Sequence, residues 1–366
     1  MISQSHCHTP VAALSIGRLV ADTGQLTQGL VKNPFQLVDL QARRVAYLRI
    51  SVTDRCNYRC TYCMPEAGVH VVARDELLHF DEIERLGRVF AELGVTRIRL
   101  TGGEPLLRKN IESLVASLAQ IPGINDLAMT TNGHLLADMA GLLHQAGLQR
   151  LNVSIDTLDP HRFSEVTRRG DLASVLRGLE VAQNQGFAPI KLNAVVLRGL
   201  NDHELPQLCE FAAKNGHILR LIEYMPIGVD AFWSPSTFVA VAEMRKTLEI
   251  DWDLTPDDAH GLPGGGPAKY WRGVRRSDGL SLRLGLISAV TENFCRLCNR
   301  VRLSSTGTLR ECLSTAGALS LRDMMRQGRN NNELREAIAA ALAGKVEGHR
   351  FHDAVPTVES MSSIGG

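Results

Sequence analysis

Three cysteines, Cys56, Cys60 and Cys63, fall within eight positions of the stretch DRCNYRCTYC, and three more, Cys295, Cys298 and Cys312, form a second group. Deprotonated thiols are strong ligands for soft metals and the attacking species in redox chemistry. Eight cysteines in 366 residues lie far below the density of a disulfide-stapled secreted domain, so the grouping points to metal or redox work. Cys7 and Cys209 stand alone, and Cys209, inside the apolar helical stretch LPQLCEFAAK, reads as packing. Each group stops at three. A structural zinc site is closed by four ligands; the first loop has only His70 nearby, and the second would have to recruit His349 or His352, a reading that stays open. A 4Fe-4S cube held by three cysteines instead leaves one iron open to a ligand that is not protein. Beside the second group the chain reads NRVRLSSTGTLREC, and on a strand Arg300 and Arg302 point the same way. A solvated strand face is the plainer account, but two guanidinium groups next to an open metal coordinate suit a ligand carrying phosphates.

Positioning such groups takes a scaffold. From about residue 46 the runs YLRISVT, VTRIRLT, DLAMTT, RLNVSID, IKLNAVV and LRLIEYM alternate with helix-period segments such as DEIERLGRVFAEL and LLADMAGLLHQA. Six strand-helix units predict a parallel sheet covered by helices. Gly94, Gly147, Gly186 and Gly216 each stand where a left-handed cap would close a helix before the next strand. The first cysteine group follows the first strand directly, in the loop position where barrel enzymes build active sites.

Strand phase carries further information. Leu48, Ile50 and Val52 alternate with Arg49, Ser51 and Thr53; Ile98 and Leu100 with Arg97 and Arg99; Leu151, Val153 and Ile155 with Asn152, Ser154 and Asp156; Lys191 and Asn193 share a phase. Buried parallel strands usually read as continuous apolar runs, so a polar phase on several strands predicts an interior filled by water or ligand. An edge strand facing solvent explains one of them, or two. Arg49, Arg97, Arg99 and Lys191 on a buried face need anions, which a polyanionic ligand in the lumen would supply.

After residue 225, PSTFVAVAEMRKTLEI and HGLPGGGPAKYW lead to the strand-like AKYWRGV, LRLGLISA and RVRLSSTGTLREC, then to a helical tail, LSLRDMMRQG and NNELREAIAAALAGK. The expected organisation is an N-terminal extension, poorly ordered, over 1–38; a partial barrel with the first triad over 39–230; and a C-terminal region with the second triad over 231–366. A net charge of +1 excludes a global basic field for nucleic acid or anionic membrane. No apolar run approaches the roughly 20 residues of a spanning helix. Residues 1–37 lack the layout of a secretion signal, so a cytoplasmic location is expected, with organelle import through the acid-free first twenty residues left open.

CNYRCTYC resembles the C-x3-C-x2-C loop of radical S-adenosylmethionine enzymes. TGGEP at 101–105 resembles that superfamily's element for the methionine amino group, and Tyr62 takes its aromatic position between the second and third cysteines. With YLRISVTDRCN, RIRLTGGEP, MTTNG, LNVSIDTLD, KLNAVVLRGLND and a terminal SIGG, the two triads resemble the GTP 3′,8-cyclase family of molybdenum-cofactor biosynthesis from about residue 39 to Gly366. The resemblance implies an α/β fold, a partial (βα)6 TIM-type barrel of the radical S-adenosylmethionine kind, with a C-terminal antiparallel or mixed β segment and helical tail. It implies 4Fe-4S clusters on Cys56, Cys60 and Cys63 and on Cys295, Cys298 and Cys312. S-adenosylmethionine would lie against Tyr62, Gly103, Ser154 and Met225. GTP would meet Arg49, Arg99, Thr130, Lys191, Arg300, Val301 and Arg302. Arg49, Arg300, Arg302 and the tail residues Gly365 and Gly366 would serve the reaction, in which a 5′-deoxyadenosyl radical takes the 3′ hydrogen of GTP and the product is 3′,8-cyclo-7,8-dihydro-GTP.

Implied partners are GTP, an external electron donor and a downstream cyclic pyranopterin synthase, with a homodimer among the open assemblies. The chain departs from the family where a Gly-Arg pair commonly precedes the first strand, since it reads DLQARRVAY there. The alternative is another two-cluster radical enzyme acting on a peptide or protein, although such enzymes usually carry more C-terminal cysteines.

Overall fold

A computed structural model of the chain describes residues 36–69, 71–227, 233–258, 262, 264, 266–349, 351 and 361. Strands β1 (Tyr47–Ser51), β2 (Arg97–Thr101), β3 (Asp126–Thr131), β4 (Arg150–Ser154), β5 (Lys191–Val196) and β6 (Ile218–Glu223) alternate with helices. These helices are α1 (Phe80–Glu92), α2 (Ile111–Ala119), α3 (Leu136–Gln145), α4 (Pro160–Thr167), α5 (Leu172–Asn184) and α6 (Leu205–Lys214). Each strand pairs in parallel with the next, which is the expected six-unit alternation. Helix α1 shows the local logic. His79 and Glu82 form a capping box at its start, Ile83, Leu86, Val89 and Phe90 bury one stripe, and Gly94 at φ +89° ends it, a conformation that glycine adopts without penalty. The apolar phase of the strands packs under these helices, with Leu48, Ile50, Ile98, Leu100, Val153 and Leu192 buried.

The C-terminal half contains α7 (Val241–Leu248), β7 (Trp252–Asp257), β8 (Lys269–Arg275), β9 (Ser281–Ile287), β10 (Arg300–Leu303), β11 (Thr308–Arg310), β12 (Leu319–Ser320), α8 (Leu321–Arg326) and α9 (Asn331–Leu342). Strands β7, β8 and β9 form an antiparallel meander, and β10, β11 and β12 a second antiparallel set. Neither set stands apart from the barrel. Strand β9 pairs in parallel with β6, and β10 in parallel with β1, so the two sets extend the parallel array at its opposite edges.

Strand β9 ends at Ile287 and β10 begins at Arg300, so twelve residues join those two edges. Twelve residues reach about 40 Å when fully extended. Eight flat parallel strands would span roughly 34 Å, and the connection must also run back along a strand, so a flat sheet would leave almost no slack. Residues 295–297 moreover form a compact 3-10 turn, so the array must curl. Strands β9 and β10 do not pair among the described residues, and the barrel is partial. Strand β7 has no counterpart in the sequence reading, because Pro256 and a mostly exposed pattern hide an edge strand. No helix among the described residues is long and apolar enough to cross a membrane.

Candidate active site

Register places Arg302 of β10, Arg49 of β1 and Arg99 of β2 in one row across three neighbouring strands. Like charges in such a row repel, and Arg99 and Arg302 are buried while Arg49 is half-buried. Burial and the neighbouring guanidinium groups hold the pKa of Arg49 well below its usual value and that of Arg302 at about 10. Burial also lowers Arg99, which lies over the Tyr47 ring with 5.4 Å from guanidinium carbon to centroid. From β6, Arg220 joins them, donating to Asn193 Oδ1 at 2.8 Å and Asn152 Oδ1 at 2.7 Å, both neutral partners. Burial, then the charge of Arg99, brings Arg220 to about 10.

Arg97 corrects one expectation. Its Nε lies 3.9 Å from Asp126, its register partner on β3, and the same carboxylate accepts from Arg150 Nε at 2.7 Å. An anion of the chain itself meets Arg97, so no ligand is needed there.

The curled array encloses a cavity of about 320 Å³. Arg49, Arg99, Arg220, Arg300 and Arg302 line it, and so do all six triad cysteines. The first triad hangs from β1 on a loop held at both flanks. Arg59 and Thr61 donate backbone N–H groups to the carbonyls of Thr167 and Val166, while Gly103 and Glu104 donate to Thr53 and Arg55. A Cβ on Gly103 would stand 2.2 Å from the Arg55 carbonyl oxygen, so this close approach needs glycine. Burial pushes the thiols of Cys56 and Cys63 up to about 11 and about 12 and also raises Cys60, so without a metal these thiols hold their protons. Metal binding must displace those protons.

Tyr62 donates its hydroxyl to Asp156 Oδ2 at 2.6 Å, and Val195 N–H donates to the other carboxylate oxygen at 2.9 Å. Burial raises Asp156 to about 6 against those hydrogen bonds. Glu104 of the TGGEP turn accepts from the Thr131 hydroxyl, the Asn132 N–H and the Leu106 N–H, and burial raises it to about 7. The turn is thereby fastened to the MTTNG segment, whose Asn132 Nδ2 lies 3.9 Å from Cys56 Sγ.

Cys295 lies on the turn Cys295–Leu297, Cys298 follows it, and Cys312 comes just after β11. Arg300 lies over the Phe294 ring at 4.7 Å. Burial alone would raise the Cys298 thiol, but the charges of Arg300 and Lys345 outweigh it and bring the thiol down to about 7. The C-terminal tail supplies His349, Phe351 and Met361 to the cavity wall. Phe351 packs with Ile227 in a small apolar cluster that Met225, Leu313 and Met361 complete.

Among the described residues no three His, Cys, Asp or Glu side chains are placed to hold a single metal ion. Three thiols per site on the wall of one cavity are the donor set for a cube with one open iron, and the residues present fit two such clusters.

Tyr62, Gly103, Thr130, Ser154 and Met225 all stand on the cavity wall. The Thr130 hydroxyl is buried there with no hydrogen-bond partner among the described residues. Lys191 is buried on the same strand phase as Asn193, nearer the N-terminal end of β5, and is not part of the wall. Val301 is not brought to the cavity: its side chain sits in the apolar core, on the face opposite Arg300 and Arg302. Gly365, Gly366, His70 and His352 lie outside the described residues. Arg220 was missed, although the polar phase of LRLIEYM signals it; Phe351 and Met361 carry no local signal.

A family model described as the radical SAM superfamily matches residues 50–212, and one described as Molybdenum Cofactor Synthesis C matches residues 217–351. The GTP 3′,8-cyclase of Pelotomaculum thermopropionicum is 42% identical over 90% of this chain and 99% of its own length. That of Rhizobium etli is 43% identical over 92% of this chain and 96% of its own. Among solved structures, Streptococcus suis SuiB is similar with a TM-score of 0.56 at 15% identity, covering 86% of this chain and 75% of that one, a likeness of fold alone.

Proposed function

The chain belongs to the GTP 3′,8-cyclase family of the radical SAM superfamily, and from that premise we propose how the cavity between the two triads divides the work. S-adenosylmethionine lies at the first triad between Tyr62, Gly103, Ser154 and Met225. GTP lies between the arginine row and the second triad. The observation that carries this reading is that both triads and five arginines line the same cavity. With the clusters and S-adenosylmethionine bound, the chemistry supplied is one-electron cleavage to a 5′-deoxyadenosyl radical, which takes the 3′ hydrogen of GTP on the way to 3′,8-cyclo-7,8-dihydro-GTP.

The chain's own residues bind, orient and exclude. Arg49, Arg99, Arg300 and Arg302 offer donors to phosphate oxygens from the wall of the cavity, where charge-assisted contacts are stronger than in bulk solvent. Lys191 adds charge from the layer beneath, and Thr130 offers its buried hydroxyl. Tyr62 is held by Asp156, so its ring is fixed before any ligand arrives. Val301 contributes backbone only. Phe351 and Met361 cover one side of the cavity, and we place Gly365 and Gly366, which follow Met361 closely, in the GTP site.

The functional division falls near residue 230. An external donor supplies electrons in the cytoplasm, and a cyclic pyranopterin synthase consumes the product; a homodimer is compatible with this scheme.

The deciding experiment reconstitutes both clusters anaerobically, reduces them, adds S-adenosylmethionine with and without GTP, and quantifies 5′-deoxyadenosine and nucleotide by mass spectrometry. GTP-stimulated deoxyadenosine, with conversion of GTP to the cyclised nucleotide, is expected. Equal deoxyadenosine without GTP, and GTP recovered intact, would move the search to peptide substrates.

A further inference from the structure

Two buried cations approach the second triad from behind. Arg43 is 7% exposed and Lys345 3%. Arg43 belongs to the DLQARRVAY segment and follows Ala42, which takes φ +58°. Its Nε donates to Asp39 Oδ2 at 2.6 Å, and its terminal nitrogens donate to the carbonyls of Cys295 at 2.8 Å, Val346 at 2.8 Å and Glu347 at 3.1 Å. Lys345 donates to the carbonyl of Arg300 at 2.8 Å and to that of Glu311, and its Nζ lies 3.8 Å from Cys298 Sγ.

Every thiol-bearing segment of the second triad is thus held by one of these cations. Arg43 holds Cys295 at its own carbonyl. Lys345 holds Cys298 at the sulfur and through Arg300, and holds Cys312 through the preceding carbonyl. Because Arg43 also grips the backbone at 346 and 347, each cation fixes the other. The Asp39 carboxylate pairs with Arg43, while Lys345 lies against the Cys298 sulfur, and a buried charge is costly unless an anion answers it. A cube held by three thiolates is anionic and becomes more so on reduction, so a cation at a ligating sulfur favours the reduced cluster.

We propose that Asp39, Arg43 and Lys345 form a positioning clamp for the second cluster, in which Arg43 fixes the Cys295 segment and Lys345, at the Cys298 sulfur, raises the cluster's reduction potential. The proposal rests on the reading of Cys295, Cys298 and Cys312 as ligands of that cluster.

The test uses the full chain with Cys56, Cys60 and Cys63 changed to alanine, so that iron binds only at the second site. Lys345→Met is expected to keep about four irons per chain, while its midpoint potential, followed by electron paramagnetic resonance, moves to a more negative value that Lys345→Arg restores. Arg43→Met is expected to lose second-site iron. In the metal-free chain it should raise iodoacetamide labelling of Cys295 several-fold, with Cys209 still protected and Arg43→Lys restoring little. An unchanged potential in Lys345→Met, or iron and labelling in Arg43→Met equal to the parent's, overturns the clamp. Reactive Cys209 in Arg43→Met assigns that residue to general folding and overturns it as well. A parent chain that binds no iron overturns the ligand reading itself, a result distinct from a loaded parent whose variants match it.

Discussion

Arg302, Arg49 and Arg99 occupy adjacent strands in one register, an arrangement that burial and mutual repulsion make unfavourable in the ligand-free protein. In the site proposed for GTP, the triphosphate would turn that liability into binding energy. A hydrogen bond to a charged group contributes about 1.5–3 kcal/mol, so Arg302→Ala should weaken GTP binding by roughly 10- to 150-fold while S-adenosylmethionine binding persists. Calorimetric titration with each ligand checks this, and an unchanged GTP affinity would remove Arg302 from the nucleotide site. Lys191 yields a pH prediction. Burial, then Arg220, Arg150 and Arg99, lower it from 10.5 to about 7. An anion binds the ammonium form and raises its pKa, so above pH 7 binding takes up a proton and affinity falls as pH rises, by up to about tenfold per unit. Below pH 7 the group is charged with or without GTP and contributes no slope. In the ligand-free protein the sign reverses: the burial penalty is complete below pH 7 and is relieved as pH climbs toward 10.5. Dissociation constants at pH 7, 8 and 9 for wild type and Lys191→Met test this, since equal slopes in the two proteins would clear Lys191 of the effect.

At the scale of elements, the strands of the barrel and the face they turn inward were legible because period-two alternation is a local property. Pairing over long sequence separations was not. Nothing within β9 or β10 says that one joins β6 and the other β1, and that placement is what brings Arg300 and Arg302 beside Arg49. Arg97 was misread for the same reason, because its answering carboxylate, Asp126, belongs to another strand. The cysteines and TGGEP were legible through spacing, yet the link from Glu104 to Thr131 and Asn132 joins separate strand ends and leaves no local pattern. Close packing of two loops makes a further prediction. Gly103→Ala sets a methyl group 2.2 Å from the Arg55 carbonyl, whereas a Cβ on Gly266 meets nothing within 4 Å. Gly103→Ala should therefore strip iron from the first triad and leave the second loaded, while Gly266→Ala behaves as wild type. Iron counts in chains carrying one triad at a time decide the matter, and full first-site iron in Gly103→Ala would show that the loops can part without consequence.

For the whole molecule, the weak point is the seam between β9 and β10, where the two strands do not pair among the described residues and the connection at 288–299 carries Cys295 and Cys298 across. Glu223, at the end of β6 and fully buried, anchors the start of this crossing: it accepts from the Val290 N–H at 2.8 Å, the Thr291 N–H at 2.9 Å and the Thr291 hydroxyl. The oxygen that takes the Thr291 hydroxyl, Oε1, also accepts from the Val241 N–H at 2.9 Å, where α7 begins. One carboxylate therefore ties the barrel, the following helix and the seam together. Glu223→Ala would leave those donors buried without a partner, at a cost of several kcal/mol. Glu223→Gln can keep its amide oxygen on the Val290 and Thr291 N–H groups and donate to the Thr291 hydroxyl, which accepts as well as donates, so only the Val241 N–H is opposed and part of the loss should be recovered. Both variants are expected to melt lower than wild type and to lose second-site iron before first-site iron, because the first triad hangs from β1 and does not use the seam. Melting curves alone cannot separate this from general weakening. The ratio of iron at the two sites can, and a ratio that stays constant as stability falls would show that the crossing keeps its shape without Glu223.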